Sequence, residues 1–249
     1  MDEALLLGFR AIEDTHWWFV ARRRLVLDIT QRWAPRPLER IVEVGCGTGG
    51  TLRALRERFP AAIVRGVEPA EPAAMLSREC GCDVAVAGLE QLPQEASSAD
   101  MLVALDVIEH LADDGLGLRE ALRVLRPGGR LLITVPAMPS LWGAHDVVNG
   151  HYRRYTRRSL MAALQGAGYR IERVTSFNTL LLPLGIAERW VSRLLGRTEA
   201  SAGLQQPARP LNAALRGVFG AEVGLLRLVD LPIGMSLLAV ATRPAEAGA

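Results

Sequence analysis

Apolar positions along the chain follow two periods. Short aliphatic and β-branched runs, each too brief for a helix, occupy Ile41–Val44, Ala62–Glu68, Asp83–Ala87, Asp100–Leu105, Arg130–Pro136, Tyr169–Ser176 and Met235–Thr242. Between them, apolar residues recur every three or four positions in Thr51–Phe59, in Glu71–Arg78, around Leu118, Leu122 and Leu125, and in Thr156–Gly166. The first pattern predicts strands and the second predicts helices. Alternation of the two through short links predicts an α/β fold: a doubly wound, Rossmann-like and mostly parallel sheet with helices on both faces.

Two regions lie outside that alternation. Residues 2–33 predict two helical pieces, the first carrying Leu5, Leu6, Phe9 and Ile12 on one face, the second starting near His16 and ending before Pro35. Leu180–Leu195 and Leu211–Val229 predict helices with strongly apolar faces, separated by a polar, proline-bearing link over Glu199–Pro210. The chain therefore divides into an N-terminal helical cap (1–35), a core domain (36–176 with 233–244) and a helical insertion (177–232). That insertion is expected to be a lid or an oligomer face; packing on its own domain, homodimer formation and contact with a membrane surface are the readings its apolar faces allow.

The first strand breaks into Gly45-Cys46-Gly47-Thr48-Gly49-Gly50, and this turn opens the next helix. Glycines there permit left-handed backbone angles and close approach of a ligand, while the free amides of the helix start favour polar groups. A nucleotide-like ligand is expected. Glu68, followed by Pro69, ends the second strand, where doubly wound sheets bind ligands and an acid can accept both hydroxyls of a ribose.

Composition narrows the options. The net charge of +2 over 249 residues gives no reason to expect nucleic-acid binding. All 29 basic residues are arginines, which excludes Schiff-base chemistry and a Walker-type phosphate loop. Cys46, Cys80 and Cys82, with no signal-like start and no apolar run near the ~20 residues of a membrane span, point to a cytoplasmic chain with reduced thiols.

Residues 139–158, after the fifth strand, are dense in polar and aromatic side chains, and loops in that position carry chemistry more often than packing. His145 and His151 are candidate general bases, with His110 next, because imidazole titrates near neutrality. His16, Trp17, Trp18, Trp142, Tyr152 and Tyr155 are candidates for the wall of an acceptor pocket. Arg153 and Arg154, or Arg22–Arg24, could clamp a carboxylate or phosphate. His145 and His151 with His16 or Asp146 lack the spacing of a helical ligand pair, so no metal is expected.

In this order the motifs resemble the class I S-adenosylmethionine-dependent methyltransferases. Glu43-Val-Gly45-Cys-Gly47-Thr-Gly49 matches the family's acidic and glycine-rich signature. Leu92-Pro93, Asp106-Val-Ile-Glu-His110 and Leu125-Arg-Pro-Gly-Gly129 are similar to later motifs of the ubiquinone and menaquinone biosynthesis type. The resemblance implies a seven-stranded sheet with an antiparallel last strand, S-adenosyl-L-methionine as cofactor, and O- or C-methylation of a small, partly hydrophobic acceptor. It also implies that Glu43, Gly45, Cys46, Gly47 and Gly49 surround the methionine part and ribose, and that Glu68 and Pro69 lie at the ribose hydroxyls. Asp106 and Val107 would lie beside the methionine. Gly88 stands where relatives have an aspartate for the adenine, leaving Leu89 and Glu90 as candidates. His145-Asp146 and Gly150–Thr156, taken with His16–Phe19, are similar to one branch of these enzymes and are expected to meet at the acceptor pocket. Gly45-x-Gly47-x-x-Gly50 also satisfies the fingerprint of an NAD(P)-dependent oxidoreductase. A cofactor-binding interaction protein without catalysis is the third reading.

Overall fold

The computed structural model describes residues 3–187 and 206–245. A seven-stranded sheet runs through it in the order β3-β2-β1-β4-β5-β7-β6. Its strands are β1 (Arg40–Val44), β2 (Ile63–Glu68), β3 (Asp83–Val86), β4 (Ala99–Leu105), β5 (Leu125–Pro136), β6 (Arg170–Phe177) and β7 (Ser236–Thr242). β1–β5 pair in parallel, and β7 inserts antiparallel between β5 and β6. The sheet therefore matches the expectation from the strand pattern, including the reversed last strand.

Eight helices are labelled here: α1 (Glu3–Ile12), α2 (Trp17–Trp33), α3 (Gly50–Arg58), α4 (Glu71–Glu79), α5 (Asp114–Val124), α6 (Ala144–Val148), α7 (Arg157–Gly166) and α8 (Arg209–Leu225). Alternate residues of each strand enter opposite cores, as the pleat requires. Met101, Val103 and Leu105 of β4 join Leu25, Val26 and Ile29 of α2, Leu52 and Leu55 of α3 and Phe219 and Val223 of α8. Leu102 and Ala104 join Leu118 and Ala121 of α5 and Leu160 and Leu164 of α7 on the other face. Every residue of β4 is buried, which accounts for the unbroken apolar run Met101–Leu105.

The segment expected to be a cap thus divides. Leu25 and Val26 have no exposure, so α2 is part of the layer that covers the sheet, while α1 lies beyond it against α4. The insertion divides as well. α8 packs on α2 and buries Phe219, Glu222 and Val223, so this helix covers its own domain. The helix predicted for Leu180–Leu195 is described only through residues 182–187; the rest, and most of the link after it, lie outside the described residues. Pro210, read as part of that link, stands in the first turn of α8, where its missing N–H leaves no helical bond unmade.

Arg126–Gly129, just ahead of the apolar run Arg130–Pro136, lies within β5 as a bulge. Leu125 already pairs with Ala99 and pairing resumes at Arg130 with Met101. Residues 139–158, expected as irregular, contain a 3-10 turn at Pro139–Leu141 and the short α6. No helix among the described residues is long and apolar enough to cross a membrane.

Phe219 holds α8 to the sheet: its ring lies 5.5 Å from that of Trp18 and 6.1 Å from that of Phe177. Phe219→Ala is expected to cost about 3–5 kcal/mol in urea unfolding, the usual range for a large buried aromatic. A loss below about 1 kcal/mol would show that α8 is not anchored there.

Candidate active site

Chemistry-bearing residues gather where the parallel strands end. The glycine turn after β1 is held from below, with the N–H groups of Gly45 and Cys46 donating to the carbonyl of Val67. Gly45 has φ +69°, and a Cβ there would stand 2.6 Å from Val107 Cγ2. Gly47 has φ +54° and a Cβ there would meet nothing within 4 Å, so the turn presents open backbone on that side. Cys46 does not share this opening. Its thiol points into the core beside Leu52 and Gly66, and burial, followed by the charges of Glu43 and Glu68, pushes its pKa up.

Three buried acids surround the turn. Glu68 Oε2 accepts the Gly47 N–H at 2.9 Å and Oε1 accepts the Ala70 N–H at 3.0 Å, which fixes the carboxylate and leaves lone pairs on both oxygens. Glu13, from the segment after α1, accepts the Thr48 hydroxyl at 2.6 Å. Glu43, on the same face of β1 as Ile41, is 2% exposed. Burial raises its pKa to about 8, with Arg22 opposing and Glu13 and Glu68 adding to the shift. Pro69 and Glu90 are exposed, whereas Leu89 is turned into the core near Leu111 and Gly117.

Asp106 closes β4 with φ +56°, a left-handed conformation that an aspartate adopts at a cost of roughly 1–3 kcal/mol. Its carboxylate pairs with Arg22 at 2.5 Å and accepts the Thr134 hydroxyl at 3.1 Å. Arg22, considered from sequence as a clamp on the acceptor, thus lies at the end of β4 and joins α2 to the site.

One turn further on, Glu109 has no exposure, and neither carboxylate oxygen receives a hydrogen bond from another described residue. Burial raises its pKa well above the usual range, the Asp106 charge adds to this, and Arg22 and Arg154 oppose it. The His110 ring lies 4.7 Å from the His151 ring, edge to face. Burial lowers the pKa of His110, and His151 lowers it further. One ligand-type atom from each of Glu109, His110 and His151 falls within 4.8 Å of the others. The trio differs from the metal-ligand set weighed in the sequence, because His151 uses Asp146 as its support and His16 lies elsewhere.

Asp146 is the centre of the loop between β5 and α7. It has no exposure and binds His151 Nδ1 at 3.0 Å, Arg154 Nε at 2.7 Å and the Gly143 N–H at 2.9 Å. Burial pushes its pKa up, but the bonds from His151 and Arg154 outweigh this and hold the carboxyl well below the usual range. The His145 ring stands 6.3 Å from that of His151.

Several sequence candidates have other duties. His16 caps α2, accepting the Trp18 N–H at 3.3 Å on Nδ1. Trp17 and Trp18 pack with Phe219, and Trp18 also stacks on Phe177 at 6.2 Å, where β6 ends. The Tyr155 hydroxyl donates to Asp114 Oδ2 at 2.6 Å, and Arg153 pairs with the same oxygen at 3.2 Å. Both therefore turn toward α5. Tyr152 is 62% exposed, and Trp142 follows the 3-10 turn, half-buried. Glu109 is the member to which sequence reasoning gave no role, the spacing Asp106-x-x-Glu109-His110 being its signal; Asp146 was weighed only as a metal ligand and Arg154 only as a clamp on the acceptor, whereas the structure joins them to each other.

A family model described as a methyltransferase domain matches residues 19–174. A Mycolicibacterium smegmatis protein named "Probable S-adenosylmethionine-dependent methyltransferase" is 31% identical over 67% of the chain and 66% of its own length. The match thus spans just under two thirds of that relative. A ubiquinone biosynthesis O-methyltransferase of Agrobacterium fabrum is 36% identical over 39% of the chain and 41% of its own length. Among solved structures, a chain of the complex between the Haloferax volcanii Trm112 methyltransferase activator and a methyltransferase superposes with a TM-score of 0.64. It is 20% identical and the match covers 99% of this chain and 97% of that one, a likeness of fold.

Glu43 gives a direct check on the electrostatics of the site. Its folded pKa, about 8, exceeds its unfolded value of about 4.3, so its contribution is fully present at low pH and is lost as pH rises through about 8. In the cofactor-free protein, Glu43→Gln should remove part of the fall in melting temperature between pH 5 and pH 8. Parallel wild-type and variant curves over that range would show that Glu43 is not held in its protonated form.

Proposed function

The chain belongs to the methyltransferase-domain family, and from that premise we propose that it transfers the methyl group of S-adenosyl-L-methionine to a hydroxyl of a small, partly apolar acceptor. The observation that carries this reading is the meeting of two half-sites at adjoining strand ends. One, at β1 and β2, has open glycine backbone beside a doubly anchored Glu68. The other, after β4, has a buried carboxylate and two imidazoles.

The ribose hydroxyls of the cofactor suit the remaining lone pairs of Glu68. The amino-acid end suits the Arg22–Asp106 pair, with a guanidinium for its carboxylate and a carboxylate for its ammonium. The buried carboxylates Glu13 and Glu68 favour a sulfonium nearby and disfavour the pyrophosphate of a nicotinamide dinucleotide. This separates the methyltransferase reading from the oxidoreductase one, which the glycine spacing alone does not.

Methyl transfer is an in-line displacement. A lone pair of the acceptor oxygen forms the new C–O bond while the C–S bond breaks, sulfur keeps its electron pair, and S-adenosylhomocysteine leaves. Alignment and exclusion of water supply most of the acceleration. A hydroxyl must also lose its proton, and His110 and His151 are the imidazoles in the cluster after β4 that can take it. The Asp146 bond to Nδ1 orients His151 and leaves Nε2 as its basic nitrogen. The name of the Agrobacterium relative supports oxygen as the atom methylated. Trp18, half-buried where it stacks on Phe177, offers an apolar face at the end of β6.

S-adenosylhomocysteine at about 100 times its Kd should stabilise the protein by about 2.7 kcal/mol in thermal or chemical unfolding, while NADH should not. Glu68→Ala should weaken S-adenosylhomocysteine binding about 10–100-fold in calorimetric titration. Stabilisation by NADH alone would overturn the cofactor reading. With methyl-labelled cofactor and hydroxylated acceptors, the label should be recovered in an ether; transfer only to nitrogen or sulfur acceptors would overturn the choice of oxygen.

A further inference from the structure

We propose that Glu109, His110 and His151 bind one divalent transition-metal ion of the zinc class, leaving a coordination position open toward the acceptor oxygen. The proposal deepens the reading of the acceptor site given above and rests on it for the identity of the fourth ligand.

Glu109 is the first observation. A carboxylate with no exposure and two oxygens without hydrogen bonds from other described residues is costly in a folded protein unless it is paired, neutralised or bound to a metal. Nearby cations make no hydrogen bond to it: Arg154 is bonded to Asp146, and Arg22 stands against Asp106, its buried Nε and Nη2 making no hydrogen bond to a described residue. A cation held directly by the carboxylate would resolve this.

The two imidazoles are the second observation. Their rings stand 4.7 Å apart, edge to face. Neutral imidazole is the form that ligates metal. His151 has the outer support that metal-bound histidines have. Its Nδ1 faces the Asp146 carboxylate at 3.0 Å, and Asp146 is in turn fixed by Arg154 at 2.7 Å. This sets the tautomer with the proton on Nδ1 and the Nε2 lone pair available. The carbonyls of Asn149 and Gly150 play a similar part beside His110.

Distance and chemistry then select the ion. The three candidate donor atoms lie within 4.8 Å of one another. Ligands about 2.1 Å from a tetrahedral ion lie about 3.4 Å apart, so side-chain rotation suffices to close the site. Two nitrogens and one carboxylate suit zinc, cobalt or iron, whereas magnesium and calcium prefer all-oxygen shells. Three protein ligands are the number found where an open position serves chemistry. With all three groups ligated none of them serves as the base; an ion there would instead act as a Lewis acid on the acceptor hydroxyl, lower its pKa and let the proton pass to water.

The test uses the full chain, stripped with a chelator and titrated with Zn²⁺ by calorimetry and with Co²⁺ by visible absorption, without acceptor. Wild type should take up one equivalent of each ion and show the intense bands of low-coordinate Co²⁺. Glu109→Gln and His151→Ala should each lose at least 100-fold in affinity. Asp146→Asn, which touches His151 and not the ion, should lose about 10–100-fold. S-adenosylhomocysteine titrations on the same samples should be unchanged, showing that the variants are folded and keeping the cofactor reading separate from the metal one. Absence of saturable Zn²⁺ and Co²⁺ binding by wild type would overturn the proposal. So would one-equivalent binding that survives both Glu109→Gln and His151→Ala.

Discussion

Keeping negative charge out of water at the ends of the parallel strands is the constraint on which the rest of the site depends. Glu13, Glu43, Glu68, Glu109 and Asp146 are all buried there, with Asp106 half-buried among them. An isolated buried carboxylate is so unfavourable that each must be paired, hydrogen-bonded or protonated. The fold uses all three solutions. Glu68 takes two backbone N–H groups, Asp146 takes Arg154 and His151, and Glu43 shifts its pKa to about 8. Glu109 accepts no hydrogen bond from another described residue, and its raised pKa leaves protonation or a bound cation as its solutions.

The sheet explains why these charges converge. In a doubly wound sheet the turns after the parallel strands all open at one end, so residues distant in sequence become neighbours there. Strain gathers at the same place. Asp106 after β4, Met138 after β5 and Asn178 after β6 each have a left-handed φ, between 56° and 58°, without being glycine. Backbone of that kind persists only where surrounding structure over-determines it. At Asp106 the determinants are visible: Arg22 from α2 and Thr134 from β5 hold the carboxylate from two sides. α2 is therefore both a wall of the core and a contributor to the site, and Phe219 of α8 supports it from outside.

Much of the fold was legible in the sequence because parallel strands and amphipathic helices write their periods locally. The glycine turn and Glu68 were legible for the same reason, since their roles depend on a strand, a turn and a helix that are contiguous. Side chains whose partners come from other elements were harder to place. Tyr155 and Arg153 looked like pocket residues, yet Asp114 at the start of α5 draws both away. His16 looked like a pocket residue and caps a helix. The reverse holds for Glu109 and Asp146. Their charge was plain in the sequence, but their importance comes from burial and from His151, which only the folding of the loop after β5 brings to them.

If the glycine turn and the Glu109, His110 and His151 cluster are two halves of one site, a bound cofactor must lie across both. A crystal structure of the full chain with S-adenosylhomocysteine decides this. The ribose hydroxyls are expected on Glu68, the amino-acid end at Arg22 and Asp106, and the sulfur lone pair that would carry the methyl group directed at the cluster. A ligand bound with its ribose away from Glu68, or with that lone pair directed away from Glu109 and His151, would contradict it.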